Sequence, residues 1–414
     1  MDAPPIGPFG PHQAAERVVR PQRRLRAGAA QALALALGVG LGLGLPKIGG
    51  GPQVDSTRTV EVLAAVGVAV LGVTSLVYSV LFLVVQWAAG SFTPRLALFR
   101  GDPLVWRVLA FAVGLLTFTV MATLAIGAQR TVSVAVPAVA LTLAAAALAL
   151  VRGLQLSAYR SIQLAQVLAD TAAQAHRVLD AFYPKPDADG ARPAPRAPLP
   201  AVRRSVVWRA EGAGATVEQI AVRQLVDDAR AADATVVLRV PVGATVYPGD
   251  VVADVRGGDL SADQVARALI AGRERSFHQD PVYPLRVLAD IGLRALSPAV
   301  NDPATAVQTL EVIEGLLLRL VNVELDAASV PDADGAVRVV LCLPGWTDFL
   351  GTGVDEICRA ATGSPMVLVR ARDLLRRLAQ AAPAERRGSL AVRLAWVQGQ
   401  FGERHPSFMD GSGP

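Results

Sequence analysis

The sequence predicts a multi-pass α-helical membrane protein with four spans and a C-terminal cytoplasmic α+β domain, which contains helices and a small β-barrel-like hairpin region. Two observations support this fold class. The 414 residues are 52% hydrophobic but only 5% aromatic, so Ala, Val and Leu supply the apolar excess. They are concentrated in long runs that end at Val151, and charged residues recur every few positions after Arg152.

The transmembrane domain is expected over residues 29–151, in apolar runs close to or longer than the ~20 residues that cross a bilayer. Arginines precede the short, glycine-rich first run, so a cleaved signal peptide is the alternative to a retained helix. The PKIGGG that follows does not resemble a cleavage site, which favours the retained helix. The predicted spans cover about 29–45, 60–87, 104–127 and 132–151, and the last two form an antiparallel hairpin.

Basic residues predict that both termini are cytoplasmic, because positive charges beside a span stay on that side. Arginines occur in the N-terminus (1–28), between the second and third spans, and after the fourth. The opposite connections contain only Lys47, Arg58 and Arg130. The lipid bilayer is therefore the first expected partner. Anionic lipid explains the N-terminal arginines better than nucleic acid, which is not expected to bind.

A polar stripe lies along one face of the second predicted span. Gly72, Ser75, Ser79 and Gln86 recur at spacings of three, four and seven residues. Close helix packing and a polar pathway across the membrane both fit such a stripe, and packing is favoured because small residues let helix backbones approach. No acidic or basic residue lies in the middle of a span, which argues against a proton relay.

The soluble half divides by composition and periodicity. In chain order we expect a juxtamembrane helix at 152–183, a Pro-rich linker at 184–204, a β-rich subdomain at 205–258, a mostly helical subdomain at 259–401 and a disordered tail at 402–414.

The β-rich subdomain contains two predicted strands, TVVLRV at 235–240 and DVVADV at 250–255, on either side of a Pro- and Gly-containing connection. The pattern is similar to the hairpin of biotinyl and lipoyl-like barrels. Those carriers use a modified lysine, whereas the only lysines here are Lys47 and Lys185. The similarity therefore concerns the fold alone.

The densest polar cluster follows at 273–302, and both a structural and a functional interpretation are open. Arg286, Asp290 and Arg294 are four residues apart and suit a helical ion-pair ladder. Asp302 before Pro303 suits a helix N-cap, as Ser261 with Gln264 does upstream. The candidate functional cluster consists of Arg273, Glu274, Arg275, Asp280, Arg286, Asp290, Arg294, Ser297, Asn301 and Asp302.

Several site classes are not expected. No lysine follows residue 185, which excludes a P-loop lysine or Schiff base in the soluble half. The alternating glycines of the first span lack GxGxxG spacing, and neither HExxH nor CxxC occurs, so no cofactor or metal is predicted. An enzyme is not expected. If the chain had chemistry, paired carboxylates would be sought among Glu274, Asp280, Asp290 and Asp302.

Three stretches resemble a known family. RERSFHQDP at 273–281, LRALSPAVNDPATA at 293–306 and VVQWAAGSFTPRL at 84–96 are similar to the bacterial predicted membrane proteins named domain of unknown function 2254, over about residues 30–380. Phe277 and His278 depart modestly from the usual pattern. The resemblance implies four helices in the bacterial plasma (inner) membrane and a cytoplasmic domain, and it supplies no activity.

The sequence favours a homo-oligomeric, non-enzymatic membrane assembly with a cytoplasmic sensing or gating domain. The alternatives are a membrane-anchored scaffold that docks a cytoplasmic partner, and a channel or transporter for small ions. The sequence does not identify the small ligand or the cytoplasmic partner.

Overall fold

The computed structural model describes residues 23–48, 50–91, 103–161, 163–183, 198–209, 214–325 and 329–404. Two compact units are formed, one by Arg20–Val167 and the other chiefly by Leu168–Pro414. Most of the predicted basic N-terminus (1–28), Pro-rich linker (184–204) and tail (402–414) lies outside the described residues.

The N-terminal unit is built from the four apolar helices that the sequence predicts. All four are long and apolar enough to cross a membrane. Many of their outward side chains are large and apolar, with Val68 72% and Leu124 67% exposed, as expected of surfaces that face hydrocarbon. The helices are α1 (Arg23–Gly44), α2 (Ser56–Ser91), α3 (Pro103–Ile126) and α4 (Ala135–Ser161).

Two short strands join the connections of this unit. β1 (Gln53–Asp55), before α2, pairs antiparallel with β2 (Thr131–Ser133), before α4. The fourth apolar helix therefore begins later than residue 132, because 131–133 belongs to the ladder. Since the ladder joins the α1–α2 and α3–α4 connections, both lie at the same end of the helical unit.

The glycines of α1 make a close helix contact. A Cβ atom on Gly42 would lie 2.6 Å from Cβ of Met121 and 2.9 Å from the carbonyl oxygen of Phe118. On α3, a Cβ atom on Gly114 would lie 2.9 Å from the carbonyl oxygen of Ala34. Such small residues allow the backbones of membrane helices to approach one another. The glycine-rich character of the first span is thus explained by its packing against α3.

The predicted juxtamembrane helix is divided into two helices. α4 continues to Ser161, and α5 (Leu164–Phe182) begins three residues further on. The end of α5 is held firmly by the C-terminal unit. The Tyr183 hydroxyl donates to the Pro344 carbonyl at 2.9 Å, and Arg319 donates to Asp180 Oδ1 at 2.5 Å and to the Tyr183 carbonyl at 2.8 Å.

The C-terminal unit contains two sheets. One has the strand order β3-β7-β5-β10-β9 and the other has the order β6-β4-β8. The strands are β3 (Val202–Val207), β4 (Ala215–Ile220), β5 (Ala234–Leu238), β6 (Thr245–Val246), β7 (Val251–Gly257), β8 (Leu269–Gly272), β9 (Ser329–Pro331) and β10 (Val337–Val340).

The predicted hairpin is present, but the predicted barrel-like region is not. β5 and β7 pair antiparallel, with Val236 opposite Val255. The intervening β6 leaves this pair and joins the other sheet, beside β4. On its second edge β5 takes the distant strand β10 in parallel, and β9 extends the sheet beyond it. Among the described residues both sheets are therefore open, and no closed barrel is formed.

The helices of this unit pack on the sheets and on one another. The core of the helical part is formed where the helices Tyr283–Ala295 and Pro365–Ala381 pack on the helix Pro303–Leu320, around the fully buried Leu285, Ile313 and Leu374. A π-helical turn at Gly351–Asp355 separates two short helices of this part. The helices are α6 (Val222–Ala231), α7 (Ala262–Ala268), α8 (Tyr283–Ala295), α9 (Pro303–Leu320), α10 (Trp346–Leu350), α11 (Glu356–Ala360), α12 (Pro365–Ala381) and α13 (Ala384–Arg404).

Candidate functional site

Arg275 and Asp280 form an ion pair in the loop between β8 and α8. Nε of Arg275 lies 2.7 Å from Oδ2 of the fully buried Asp280, and Nη2 lies 2.9 Å from Oδ1. The backbone N–H groups of Val282 and Tyr283 also donate to Oδ1, at 3.2 and 3.0 Å. Burial raises the pKa of Asp280, although these four hydrogen bonds act in the opposite direction. Through these hydrogen bonds, the Asp280 carboxylate holds the loop against the start of α8.

A glycine of the β5–β6 connection is packed directly against this pair. Gly243 has a φ of +90°, and a Cβ atom there would overlap Oδ2 of Asp280 and lie 2.8 Å from Nε of Arg275. The Arg275 guanidinium also lies over the ring of Tyr283, 5.4 Å from its centroid. The pair is therefore enclosed by a glycine on one side and an aromatic ring on another.

Gln279, which was not among the predicted site residues, ties the same loop to β4. Its side-chain oxygen accepts from the Ile220 N–H at 2.7 Å, and its amide nitrogen donates to the Ile220 carbonyl at 3.1 Å. This buried amide copies the pairing of a neighbouring strand, so it satisfies both backbone groups of Ile220. The RERSFHQDP stretch is therefore a loop that hydrogen bonds anchor to the three-stranded sheet.

Arg286 joins two carboxylates on different helices. Its Nε lies 2.8 Å from Oδ1 of Asp290 on α8, and its Nη1 lies 2.7 Å from Oε1 of Glu356 at the start of α11. The first contact confirms part of the predicted ladder. The second was not predicted, because Glu356 is 70 residues away. Despite partial burial, these bonds raise the pKa of Arg286. Arg294 lies exposed one turn after Asp290.

The turn between α8 and α9 accounts for the next three cluster residues. Ser297 donates its hydroxyl to the Arg294 carbonyl at 2.7 Å, and Asn301 adopts a left-handed φ of +48°. Asp302 is the predicted N-cap of α9: its Oδ1 accepts from the Thr305 N–H at 3.1 Å and its Oδ2 from the Thr305 hydroxyl at 2.6 Å. These bonds lower the pKa of Asp302. The capping box of Ser261 and Gln264 is also present.

The candidate cluster is thus divided into three local groups rather than one constellation. Asp280, Asp290 and Asp302 are engaged respectively by Arg275, Arg286 and Thr305. Arg273 and Glu274 lie exposed at the start of the loop. Within the described part of the chain, no group of three or more His, Cys, Asp or Glu side chains is placed to hold a metal ion.

The intramembrane stripe lies on an outward face of α2. Ser75, Ser79 and Gln86 are exposed, and a Cβ atom on Gly72 would meet no described atom within 4 Å. The Ser79 hydroxyl donates to the Ser75 carbonyl at 2.9 Å, within the helix. On the opposite face of α2, Leu63 is fully buried. The predicted packing role of the stripe is therefore not fulfilled by another described helix of the same chain.

A family model described as predicted membrane protein (DUF2254) matches residues 26–377, a range that includes the four apolar helices except for the first turn of α1, both motifs of the cluster and the stripe. The chain belongs to this family. Uncharacterized proteins of Mycobacterium bovis and Mycobacterium tuberculosis are 34% identical to the DUF2254 chain over 127 residues, which is 30% of this chain and 24% of each relative. The match thus spans about a quarter of the length of these curated relatives. No solved structure matches the chain.

Another buried ionic group of this DUF2254 protein was not singled out from the sequence. Glu314 on α9 is 4% exposed and pairs with Arg370 of α12, and its Oε1 lies 3.0 Å from Nε of Arg377. These contacts hold α12 on α9. The sequence contains one sign of this buried charge. Glu314 lies on the apolar face of its helix, preceded by Leu310 and Ile313 and followed by Leu317.

Proposed function

We propose that this DUF2254 protein is a non-enzymatic homo-oligomer of the bacterial plasma membrane, with both termini in the cytoplasm and a C-terminal unit that senses a ligand. The observation that carries the proposal is the outward polar stripe of α2. Gly72, Ser75 and Ser79 form a strip of small side chains that the rest of the described chain leaves uncovered.

A second copy of the chain is the partner that best fits this stripe. Membrane helices associate through small residues, which allow close packing, and through polar groups, which hydrogen-bond across the contact. Two copies related by a two-fold axis would each present the same strip, so the contact would be self-complementary. Gln86, exposed at the same helix, would then find a polar partner in the other copy rather than lipid.

Ion conduction is a weaker interpretation of the same stripe. The Ser79 hydroxyl is already satisfied by the Ser75 carbonyl at 2.9 Å, and Thr123 likewise donates to the Thr119 carbonyl at 2.8 Å. Hydroxyls that bond to their own helix do not require an aqueous lumen. We therefore propose self-association and not permeation as the role of the stripe.

The sensing role rests on how the C-terminal unit holds α5. Arg319 of α9 bonds to Asp180 and to the Tyr183 carbonyl, and α5 is separated from the membrane helix α4 by only two residues. A shift of α9 would therefore pull on α5. The proposed absence of catalysis rests on three of the four cluster carboxylates, Asp280, Asp290 and Asp302, each of which is engaged in a bond that stabilises the fold.

Disulfide cross-linking in native membranes tests the self-association. In a variant with Cys342→Ser and Cys358→Ala, a cysteine at Ser75 or Ser79 should give a product of twice the chain mass on mild oxidation. Leu148→Cys, at an exposed position of α4, is the matched control and should give much less. Equal cross-linking at all three positions, or none at Ser75 and Ser79, would refute the proposal. Products that contain a different protein would favour the scaffold alternative instead.

A further inference from the structure

We propose that a cavity between α11 and α13 binds a small organic anion with an apolar body, such as an aromatic or short-chain carboxylate. The cavity has a volume of about 270 Å³. That is the space of roughly nine liquid waters, at ~30 Å³ each, which suits a single ring with one charged group. The proposal rests on the sensing role proposed above, since it names the class of ligand.

The apolar wall of the cavity is provided by α13. Val392 is 71% exposed and Trp396 is 39% exposed, one helical turn apart, and both line the cavity. Val397, which lies on the buried face of α13 with Leu390 and Phe401, also lines the cavity. A large aromatic side chain beside a concave apolar surface is the usual composition of a ligand pocket, because it offers a broad contact area for a ring or alkyl group.

The charges around the cavity favour an anion. Arg393 binds Asp355 through two bonds, Nε–Oδ1 at 2.6 Å and Nη2–Oδ2 at 2.8 Å, so these two charges neutralise each other. Arg359 also lines the cavity, is exposed, and makes no ion pair or hydrogen bond with the described residues. The cavity therefore presents one uncompensated positive charge, which a carboxylate would satisfy.

The cysteine that lines the cavity favours reversible binding of the ligand. This residue, Cys358, is 4% exposed. Burial raises the pKa of this thiol to about 12, so it remains protonated at neutral pH and is a poor nucleophile. The thiol therefore contributes a small apolar contact rather than a covalent bond.

The cavity adjoins the candidate cluster through two consecutive residues. Asp355, the last residue of the π-helical turn, binds Arg393 at the cavity, whereas Glu356 binds Arg286 of α8. π-helical turns occur frequently at functional sites. An anion bound at Arg359 would therefore act on the short helix that holds α8.

Ligand-observed fluorine NMR on the full-length protein in zwitterionic nanodiscs tests the site, with 4-fluorobenzoate as the probe. We expect saturable line broadening with the wild-type protein. Arg359→Gln should weaken binding at least tenfold, and Val392→Trp, which fills the cavity from an exposed position, should abolish it. Arg376→Gln removes another exposed arginine, on α12, and should leave binding unchanged. The neutral 4-fluorobenzamide should bind at least tenfold more weakly than the acid.

Equal affinity in the wild type and in Arg359→Gln, or equal affinity for the acid and the amide, would overturn the anion site. Broadening that does not saturate and persists in Val392→Trp would reflect partition into the bilayer, and it would overturn the site as well. The cross-linking experiment at Ser75 tests the self-association separately. If the probe does not bind but cross-linking occurs, only the proposed ligand site is refuted. If the probe binds but cross-linking does not occur, only the proposed self-association is refuted.

Discussion

Gly243 is packed directly against the buried carboxylate of Asp280, so closely that no side chain fits between them. Two segments far apart in the chain meet at this contact, the β5–β6 connection and the loop that carries the RERSFHQDP motif. Two charged residues of the motif, Arg275 and Asp280, therefore fix the position of the loop that carries them.

Gly243→Ala should therefore be strongly destabilising. Gly249→Ala is the matched control, because Gly249 also has a positive φ, +102°, but a Cβ atom there would meet no described atom within 4 Å. The control should lose only the ~1–2 kcal/mol of a left-handed alanine. Gly243→Ala should lose at least twice as much, because its methyl group also displaces Asp280. Thermal unfolding followed by near-UV circular dichroism measures both, and equal losses would contradict the close packing.

The contact between α1 and α3 gives a second prediction. Gly42→Val should cost about 1–3 kcal/mol, since its side chain would overlap α3. Gly40→Val should be nearly neutral, because a Cβ atom at Gly40 faces open space. Fluorescence-detected gel filtration of heated, detergent-solubilised protein measures the difference. If the two variants had the same melting temperature, the assignment of Gly42 to the helix contact would be wrong.

Arg286 and Arg294 allow the ionic network to be tested within one helix. Arg286→Gln should lower the free energy of unfolding by about 1–3 kcal/mol, because it leaves Asp290 and Glu356 without their shared partner in a partly buried site. Arg294→Gln, at an exposed position, should stay within about 0.5 kcal/mol of the wild type. Chemical unfolding monitored by tryptophan fluorescence measures both changes. A similar loss in the two variants would exclude Arg286 as the joining residue.

The parts of the fold that depend on local physics were predicted from the sequence. Apolar length alone determines whether a helix can cross a bilayer, so all four apolar helices were found. The caps at Ser261 and Asp302 involve a residue only three positions away. The β5–β7 hairpin likewise follows from two apolar runs close together in the chain.

The parts that failed depend on contacts between distant segments. The barrel-like region was wrong because β10, from much later in the chain, takes the edge of β5 that a barrel would close. The role of Gln279 depends on Ile220, 59 residues away, and Arg286 reaches Glu356 across 70 residues. Periodicity and spacing within one segment contain no information on such partners.

Asp302 gives a prediction of pH dependence. Its pKa is lowered in the folded protein, chiefly by the bond from the Thr305 hydroxyl. The resulting stabilisation is complete above the unfolded-state pKa of about 3.9 and is lost as the pH falls through the lowered value. Asp302→Ala should cost about 1 kcal/mol at pH 6, and Asp302→Asn less, because asparagine also caps helices.

Melting temperatures of the three proteins at pH 6 and pH 3 check this dependence. The gap between the wild type and Asp302→Asn should be narrower at pH 3 than at pH 6, because the charge contribution falls once the pH is below the unfolded-state pKa of about 3.9. A gap that stayed constant between the two pH values would mean that the charge of Asp302 does not contribute.

The proposed self-association is tested most directly by counting subunits in nanodiscs taken straight from sparsely expressing cells. A chain with one fused fluorophore should bleach in two or more steps per particle. Gly72→Leu combined with Ser79→Leu, which fills the outward stripe of α2, should bleach in one step. Single-step bleaching of the wild-type protein, or multi-step bleaching that the double variant does not change, would contradict an oligomer built on that face.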